Sequence, residues 1–409
     1  MHVSQAGTTN EPAMPFFGLA PFLRMSIAGN NLLPYGQQLL ALAGERPDDA
    51  NLWMNLSLVM QCLGQHDAGL AIQAQALNLQ RIYFVEANEQ PVRLRVLMLM
   101  VPGDLSANTP LECLLENSDI ELIFYFLSDG EPLAVPVPEH DVVLVALSEA
   151  DENHVLLTAL EKLLADWPKP VINRPQNIPK TGREAASGLL QDVPGVLIPP
   201  TLRASRVDLE AISASASRLS ERFEATDFPV ILRPVGSHGG RDLGKMDSSE
   251  DVASYLSQVN ETKFFLSRFI DYSGKDGLFR KMRVVLIDGK PYACHMGVSS
   301  HWMIHYVNAG MYEEAWKREE EARFMDDFDD FAERHRLALE AIYQRAQLDY
   351  LCIDCAETPD GQLLIFEVGH AMVVHAMDTE AMFPYKQMHM LKVKNAFRDY
   401  LFRLTAAQQ

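Results

Sequence analysis

Cysteines and long apolar runs are both scarce in this sequence of 409 residues. Its 5 cysteines are scattered and do not form the disulfide framework of a small secreted domain, so we expect a reducing compartment. No segment reaches the ~20 apolar residues that a membrane-spanning helix needs. The first residues also lack the basic and apolar regions of a secretory signal. We therefore expect a cytoplasmic protein with no membrane partner.

Positive charge is in short supply as well. The chain carries 35 Lys and Arg against 55 Asp and Glu, which gives a formal net charge of −20. Phosphate contacts to nucleic acid need a basic face, so we expect no nucleic-acid partner. An apolar content of 48% and a charged content of 22% are ordinary for a globular protein. The length allows two or three domains.

Two common nucleotide-binding motifs are missing. The first predicted strand is followed by MVPGDLSAN, so the G-x-G-x-x-G fingerprint of dinucleotide binding is absent. The stretch GGRDLGKM ends in Met246, where a P-loop needs Ser or Thr. The glycine-rich GSHGG remains, directly after a predicted strand that carries Arg233. Such a loop can place backbone N–H groups over phosphate oxygens, and a plain turn is the alternative.

The first 90 residues are predicted to be an irregular arm followed by helices. Prolines and glycines make residues 1 to 28 read as irregular, whereas Asn31–Leu79 has helical periodicity, capped at Asp49. The helices partially resemble one tetratricopeptide repeat of ~34 residues, at Trp53, Leu56, Gly64 and Ala76. One repeat cannot form a long solenoid. A helical cap on the next domain is therefore favoured over a docking surface for a protein or peptide partner.

The hydrophobic period changes after residue 90. Residues 91–178 contain short apolar runs, RLRVLMLMV, IELIFYFL, DVVLVALS and PVIN, separated by helical or polar segments. This pattern predicts a small Rossmann-like domain with a parallel sheet. Residues 179–409 read mainly as antiparallel strands, and an acidic helical stretch near residues 312–348 is expected to be a solvated face. The predicted fold class is therefore α/β together with α+β.

A predicted hairpin near the C-terminal end brings two acids together. YLCIDCAE and QLLIFEV flank an Asp-Gly turn signal, and this turn places Asp354 opposite Glu367. Neighbouring carboxylates repel unless a cation lies between them, and a divalent ion is the usual one. Two solvated acids are the alternative. Cys352 and Cys355 point to opposite faces of the strand, which argues against a zinc or redox CxxC.

The order of these motifs resembles the ATP-grasp superfamily of carboxylate–amine ligases. A strand with Arg233 runs into a glycine-rich loop, then come FFLSRFID, a strand with Arg283 and the two-carboxylate hairpin. The resemblance covers Arg93–Met390, about three quarters of the chain. Residues 91–178 are similar to the domain that precedes ATP-grasp, and residues 179–409 to the ATP-grasp domain itself. The resemblance implies a ligase that uses ATP and Mg²⁺ to activate a small-molecule or peptide carboxylate as an acyl phosphate for attack by an amine.

The resemblance also implies residue roles. Arg283 is expected to stabilise the transferring phosphoryl group. The expected metal ligands are Asp354, Glu367 and His370. The expected ATP-binding residues are Arg183 or Lys180, Arg233, Gly236, Ser237, His238, Gly239, Gly240, Arg268, Phe269, Ile270 and Asp271. The substrate is expected to lie near His301, Trp302, His305 and Tyr306.

Four positions depart from the superfamily pattern. Arg183 and Arg233 stand where the superfamily has lysines, Lys281 stands where it has aspartate, and Gly369 stands where it has the metal-binding asparagine. Arginine keeps the charge of lysine but not its shape, and glycine has no ligand atom. The alternative is therefore a degenerate nucleotide-binding or non-catalytic scaffold protein that acts through its helical segment.

Overall fold

The computed structural model describes residues 13–128, 130–215, 217–223, 227–237 and 239–407. The strands are β1 Ile82–Val85, β2 Leu94–Met100, β3 Ile120–Phe126, β4 Val142–Val145, β5 Val171–Ile172, β6 Val196–Leu197, β7 Thr201–Ser205, β8 Val230–Pro234, β9 Gly244–Met246, β10 Lys263–Arg268, β11 Phe279–Ile287, β12 Lys290–Ser299, β13 Tyr350–Glu357 and β14 Leu363–Gly369. The helices are α1 Ala20–Ile27, α2 Leu33–Glu45, α3 Ala50–Cys62, α4 His66–Leu79, α5 Leu111–Leu115, α6 His154–Leu163, α7 Arg183–Leu190, α8 Arg206–Ala214, α9 Ser217–Arg222, α10 Ser249–Gln258, α11 Ala315–Asp326, α12 Phe328–Arg334, α13 Arg336–Ala346 and α14 Lys386–Ala406. Short 3₁₀ helices span Asp151–Asn153, Pro175–Thr181 and Tyr306–Asn308.

The first sheet has the strand order β1-β3-β2-β4-β5. β2 to β5 pair in parallel, and β1 is an antiparallel edge strand. All residues of β4 and nearly all of β2 and β3 are buried, which explains why these strands read as unbroken apolar runs. The predicted Rossmann-like layer is confirmed. It has one extra strand, β1, which lies wholly before residue 91.

The N-terminal helices follow the predicted periodicity. Asp49 caps α3 by accepting the backbone N–H of Leu52 at 3.2 Å, and Gly64 makes the turn to α4 with φ +73°. The expectation of an irregular segment up to residue 28 is wrong for α1. A proline in the first turn has its φ already fixed for a helix, so Pro21 favours α1 rather than breaking it. Residues 1–12 lie outside the described part of the chain.

The helical segment packs on the first sheet. Gln73 in α4 and Gly103 after β2 exchange two hydrogen bonds, of 3.0 and 2.8 Å. Ala76 and Leu77 share a buried cluster with the strands of this sheet. In this arrangement α4 covers the sheet, as the cap interpretation expects; the resemblance to a tetratricopeptide repeat stays a prediction.

A buried carboxyl group lies at this junction. Glu112 in α5 accepts the backbone N–H of Leu19 at 3.4 Å through Oε1, while its Oε2 and the Oε1 of Gln61 are buried without a hydrogen-bond partner. Both side chains line a cavity of about 50 Å³. Burial raises the pKa of Glu112 from 4.5 to about 7.

We expect Glu112→Gln to stabilise the protein at alkaline pH. The folded state holds this carboxyl protonated up to about pH 7, whereas the unfolded chain ionises it above pH 4.5. The free energy of unfolding therefore falls as the pH rises from 4.5 to about 7, and glutamine removes this loss. Urea unfolding should show a gain of about 1–3 kcal/mol at pH 8 and none at pH 4. The exposed Glu161→Gln is the control, and a gain that is equal at both pH values would contradict the assignment.

Two further sheets follow the first. The second is antiparallel with order β7-β10-β8-β9, and the third has order β12-β11-β13-β14-β6, with β6 parallel to β14. The mixed α/β architecture with parallel and antiparallel sheets is therefore as predicted. Asp288 (φ +50°) and Gly289 (φ +77°) form the predicted two-residue turn between β11 and β12.

The structure also describes the cysteine pair and the acidic helical stretch. Cys352 and Cys355 are buried free thiols on β13, and the expectation that they form no CxxC site stays a prediction. Burial raises the pKa of Cys352 to about 12.

The acidic stretch forms α11, α12 and α13, but the expectation of a wholly solvated face is wrong for Glu321, which is fully buried. In the described residues, no helix is long and apolar enough to cross a membrane.

Candidate functional site

A cavity of about 540 Å³ lies between the second and third sheets. Residues of β8 and β10 line one side, and residues of β11, β12, β13 and β14 line the other. Arg183, at the first position of α7, and Glu149, after β4, reach the cavity from outside these sheets. The cavity therefore collects polar side chains from all three sheet regions of the chain.

Four chemically active side chains form a row across the third sheet. His295 on β12 pairs with Arg283 on β11, Arg283 pairs with Asp354 on β13, and Asp354 pairs with Glu367 on β14. Directly paired residues on neighbouring strands share one face of a sheet. All four line the cavity, and the predicted pairing of the two acids is confirmed.

Asp354 is enclosed by cations. Arg283 donates from Nε to Oδ1 at 2.8 Å and from Nη2 to Oδ2 at 3.1 Å, and Lys281 Nζ lies 2.7 Å from Oδ2. Burial opposes the charge on Asp354, but Arg283 and Lys281 outweigh it and hold the pKa of this carboxyl well below its usual range. Asp354 is therefore a carboxylate with both oxygens engaged.

Glu367 has its own cationic partner. Arg183 Nη2 lies 2.8 Å from Glu367 Oε1, and Arg183 also donates to the carbonyl of Phe366 at 3.3 Å. Burial opposes ionisation of Glu367, while Arg183 lowers its pKa below the usual value. The first helical turn of α7 is thus joined to β14 at the cavity wall.

Arg233 holds the glycine-rich loop. Its Nε donates to Ser237 Oγ at 3.3 Å, and its Nη2 donates to the Ser237 carbonyl. Burial, and next the charge of Arg183, lowers the pKa of Arg233 to about 10, so the side chain stays cationic at neutral pH. Gly239 (φ +62°) and Gly240 (φ +78°) adopt the left-handed conformation that glycine tolerates, and both line the cavity. His238 lies outside the described residues.

An aromatic and apolar wall closes another part of the cavity. Arg268, Phe269 and Ile270, at the end of β10, line it together with Trp302, whose ring meets Phe269 edge-on at 5.7 Å between centroids. Asp271 does not line the cavity, and its Oδ1 accepts the N–H of Ser273 at 2.9 Å. Phe269, Ile270 and Trp302 therefore give this part of the cavity an aromatic and apolar lining.

Three predicted residues lie elsewhere. Lys180 Nζ donates to Gln347 Oε1 at 2.7 Å and to a backbone carbonyl at 3.2 Å, away from the cavity, because the 3₁₀ helix that carries it packs near α13. His370 is buried with Nε2 3.0 Å from the carbonyl of Leu147, because successive residues of β14 and its extension alternate in direction. His301 is exposed outside the cavity lining. The structure therefore places Arg183, not Lys180, at the cavity, and does not bring His370 to the acid pair.

Some of the remaining predicted residues line the cavity and others do not. His305 and Tyr306 line the cavity, as Trp302 does, whereas Gly236 and Ser237 do not. The lining also includes residues that the sequence analysis missed, namely Glu149, His295, His375 and Asp378. Asp354 could be found from the sequence because it lies in a predicted hairpin. No pattern in the neighbouring sequence identifies Glu149, which reaches the cavity from the end of the first sheet.

The residues at the acid pair do not fit a protein-held Mg²⁺ ion. Mg²⁺ prefers six oxygen ligands at short distance. Both oxygens of Asp354 bind Lys281 or Arg283, Oε1 of Glu367 binds Arg183, and Gly369 has no side-chain ligand. Over the described ranges, no group of three or more His, Cys, Asp or Glu side chains could hold a metal ion.

Comparison with known proteins gives structural matches alone. No family model matches the chain, and no curated protein matches it. The solved D-alanyl-alanine synthetase A of Vibrio cholerae is 12% identical, covers 78% of this chain and 100% of its own, and gives a TM-score of 0.46.

Two more solved structures show the same extent of similarity. A D-alanine–D-alanine ligase from Bacillus anthracis, complexed with ATP, is 14% identical over 74% of this chain and 99% of its own, with a TM-score of 0.42. A RimK domain ATP-grasp protein from Sphaerobacter thermophilus is 18% identical over 75% of this chain and 99% of its own, with a TM-score of 0.41. With TM-scores below 0.5, these likenesses decide neither substrate nor reaction.

Proposed function

We propose that the cavity binds ATP and that the protein is an ATP-grasp ligase that joins a carboxylate to an amine. The observation that carries this proposal is the set of four cations that line the cavity beside a glycine-rich loop, namely Arg183, Arg233, Lys281 and Arg283. Fixed guanidinium and ammonium groups with nearby backbone N–H groups suit a polyphosphate. The aromatic and apolar lining formed by Phe269, Ile270 and Trp302 suits the adenine.

The proposed reaction has two steps. An oxygen of the substrate carboxylate attacks the γ-phosphorus, the bond to the β-phosphate oxygen breaks, and ADP leaves. The amine nitrogen then attacks the acyl carbon, phosphate leaves, and the nitrogen loses a proton to give the amide. Arg283 lies at the centre of the row and stabilises charge on the transferring group. The substrates are small molecules or peptides, and the N-terminal helices offer a place for a protein partner.

The test is ADP release with pairs of carboxylates and amines. We expect ADP above the background only when both substrates are present. ATP binding without turnover by any pair would favour the degenerate nucleotide-binding protein. No ATP binding would overturn the ligase proposal in favour of a non-catalytic scaffold that acts through its helical segment.

Arg233→Ala should weaken ATP binding about ten- to a hundredfold, because charge-assisted hydrogen bonds contribute about 1.5–3 kcal/mol each. Calorimetry of ATP binding measures this change. Arg336→Ala, on the exposed face of α13, is the matched control and should leave the affinity unchanged. Equal affinities for the two variants would remove Arg233 from the nucleotide site.

A further inference from the structure

We propose that Lys281 is a built-in cation that takes the place of a divalent metal ion at Asp354, so that the cavity binds nucleotide phosphates without a protein-held metal. The inference rests on the proposed function, since it concerns the nucleotide in the same cavity. It goes further by stating how the negative charges of the site and of the ligand are neutralised.

The position of Lys281 supports this role. Lys281 lies two residues before Arg283 on β11, so the two side chains share a face of the strand. Its Nζ lies 2.7 Å from Asp354 Oδ2, while Arg283 Nε lies 2.8 Å from Oδ1. The Asp354 side chain is 3% exposed and that of Lys281 is 24% exposed. The ammonium group therefore contacts the buried carboxylate and also faces the cavity.

The ammonium group has hydrogen-bonding capacity to spare. A lysine ammonium carries three N–H donors, and among the described residues Lys281 has one ion-pair partner, Asp354. The remaining donors are available to a phosphate oxygen. A divalent ion would likewise bridge a carboxylate and a phosphate oxygen, and Lys281 supplies that bridge from the chain itself.

The other ligand positions agree with this inference. Glu367 is paired with Arg183 at 2.8 Å, Gly369 has no side chain, and His370 is directed to Leu147. A metal ion at Asp354 would have to displace both Lys281 and Arg283 from a nearly inaccessible carboxylate. Two partly buried cations would then lose the carboxylate that they share, which is costly.

Charge balance points the same way. Asp354 and Glu367 alone would present two negative charges to an anionic triphosphate, and a metal ion would be needed to offset them. Here Arg183, Lys281 and Arg283 contribute three positive charges against those two. This part of the cavity is therefore net positive before any ion binds. Arg233, on the β8 side, adds a further positive charge, so the cavity attracts polyphosphate directly.

The test is calorimetry of ATP binding in EDTA and in Mg²⁺. We expect the wild-type dissociation constant to differ less than about threefold between the two conditions, since the cations are already in place. Lys281→Gln should lose about tenfold or more in EDTA and regain affinity in Mg²⁺, because one charge in contact with phosphate is removed. Lys290→Gln, exposed at the far end of the same hairpin, is the matched control.

Three outcomes would overturn the inference. Wild-type binding that is abolished by EDTA and restored by Mg²⁺ would show a required metal and leave the proposed function intact. An identical metal response in Lys281→Gln and wild type would remove Lys281 from the role. Absence of ATP binding in both conditions would overturn the proposed function together with the inference.

A second measurement on the wild-type chain avoids any folding defect of the variant. In a Mn²⁺ titration followed by electron paramagnetic resonance, without nucleotide, we expect the signal of free Mn²⁺ to stay undiminished. A stoichiometric Mn²⁺ site that disappears in Asp354→Asn would contradict the proposal.

Discussion

Arg283→Ala is expected to lower kcat for carboxylate-dependent ATP turnover by about 10²–10³-fold. Arg283 uses Nε and Nη2 on Asp354 and Nη1 on the carbonyl of Val373. A guanidinium has five N–H donors, so these three bonds leave two for the transferring phosphoryl group. Because Asp354 and Val373 fix the guanidinium in advance, little reorganisation is needed when charge develops.

A loss of activity in Arg283→Ala must be distinguished from a loss of folded protein. Removal of Arg283 leaves Asp354 with Lys281 as its remaining cation, so urea unfolding should accompany the assay. Arg283→Lys keeps the charge and loses the planar fork, and we expect it to recover a minor part of the activity. ATP affinity should change less than kcat. Activity within tenfold of wild type in a stably folded Arg283→Ala would contradict the assigned role.

The Asp354–Glu367 pairing is as predicted, but the predicted turn is wrong, and two differences from it cancel. The sequence suggests a two-residue turn, whereas Thr358 and Gln362 close a three-residue loop. That loop alone would place Asp354 opposite Phe366. A β-bulge between Asp354 and Cys355 shifts the register by one residue and restores Glu367 as the partner.

His295 could not be predicted, because a second β-bulge determines its position. The two-residue turn after β11 alone would place Arg283 opposite Cys294. A bulge between Arg283 and Val284 moves His295 into that position and completes the row. Bulges change which face a side chain occupies, and no residue pattern in this strand announces one.

Strand positions were easier to predict than long-range neighbours. The buried strands of the first sheet were readable because their apolar runs are continuous. In contrast, Lys180 and Arg183 are close in sequence and equally cationic, and their placement is decided by where the 3₁₀ helix ends and α7 begins. The burial of Glu321 depends on partners about 65 residues later, at Tyr385 and Lys386. Periodicity within one helix does not contain that information.

Lys386→Met is expected to lower the free energy of unfolding by about 3–5 kcal/mol. Lys386 Nζ lies 2.9 Å from Asp378 Oδ2 and 3.3 Å from Glu321 Oε1, and all three side chains are buried. Methionine keeps most of the volume but leaves two carboxylates without their cation. Urea unfolding measures the loss, and Lys392→Met on the exposed side of α14 is the matched control.

The Lys386→Met substitution should also disturb the cavity lining. Tyr306 donates to Glu321 at 2.9 Å and accepts from Lys386, and both Tyr306 and Asp378 line the cavity. Adding Glu321→Gln to Lys386→Met removes one unpaired charge, so the double variant should recover part of the stability. If Lys386→Met were as stable as Lys392→Met, the buried triad would not depend on the lysine charge. If stability fell while ATP affinity stayed constant, the triad would support the fold and not the nucleotide part of the cavity.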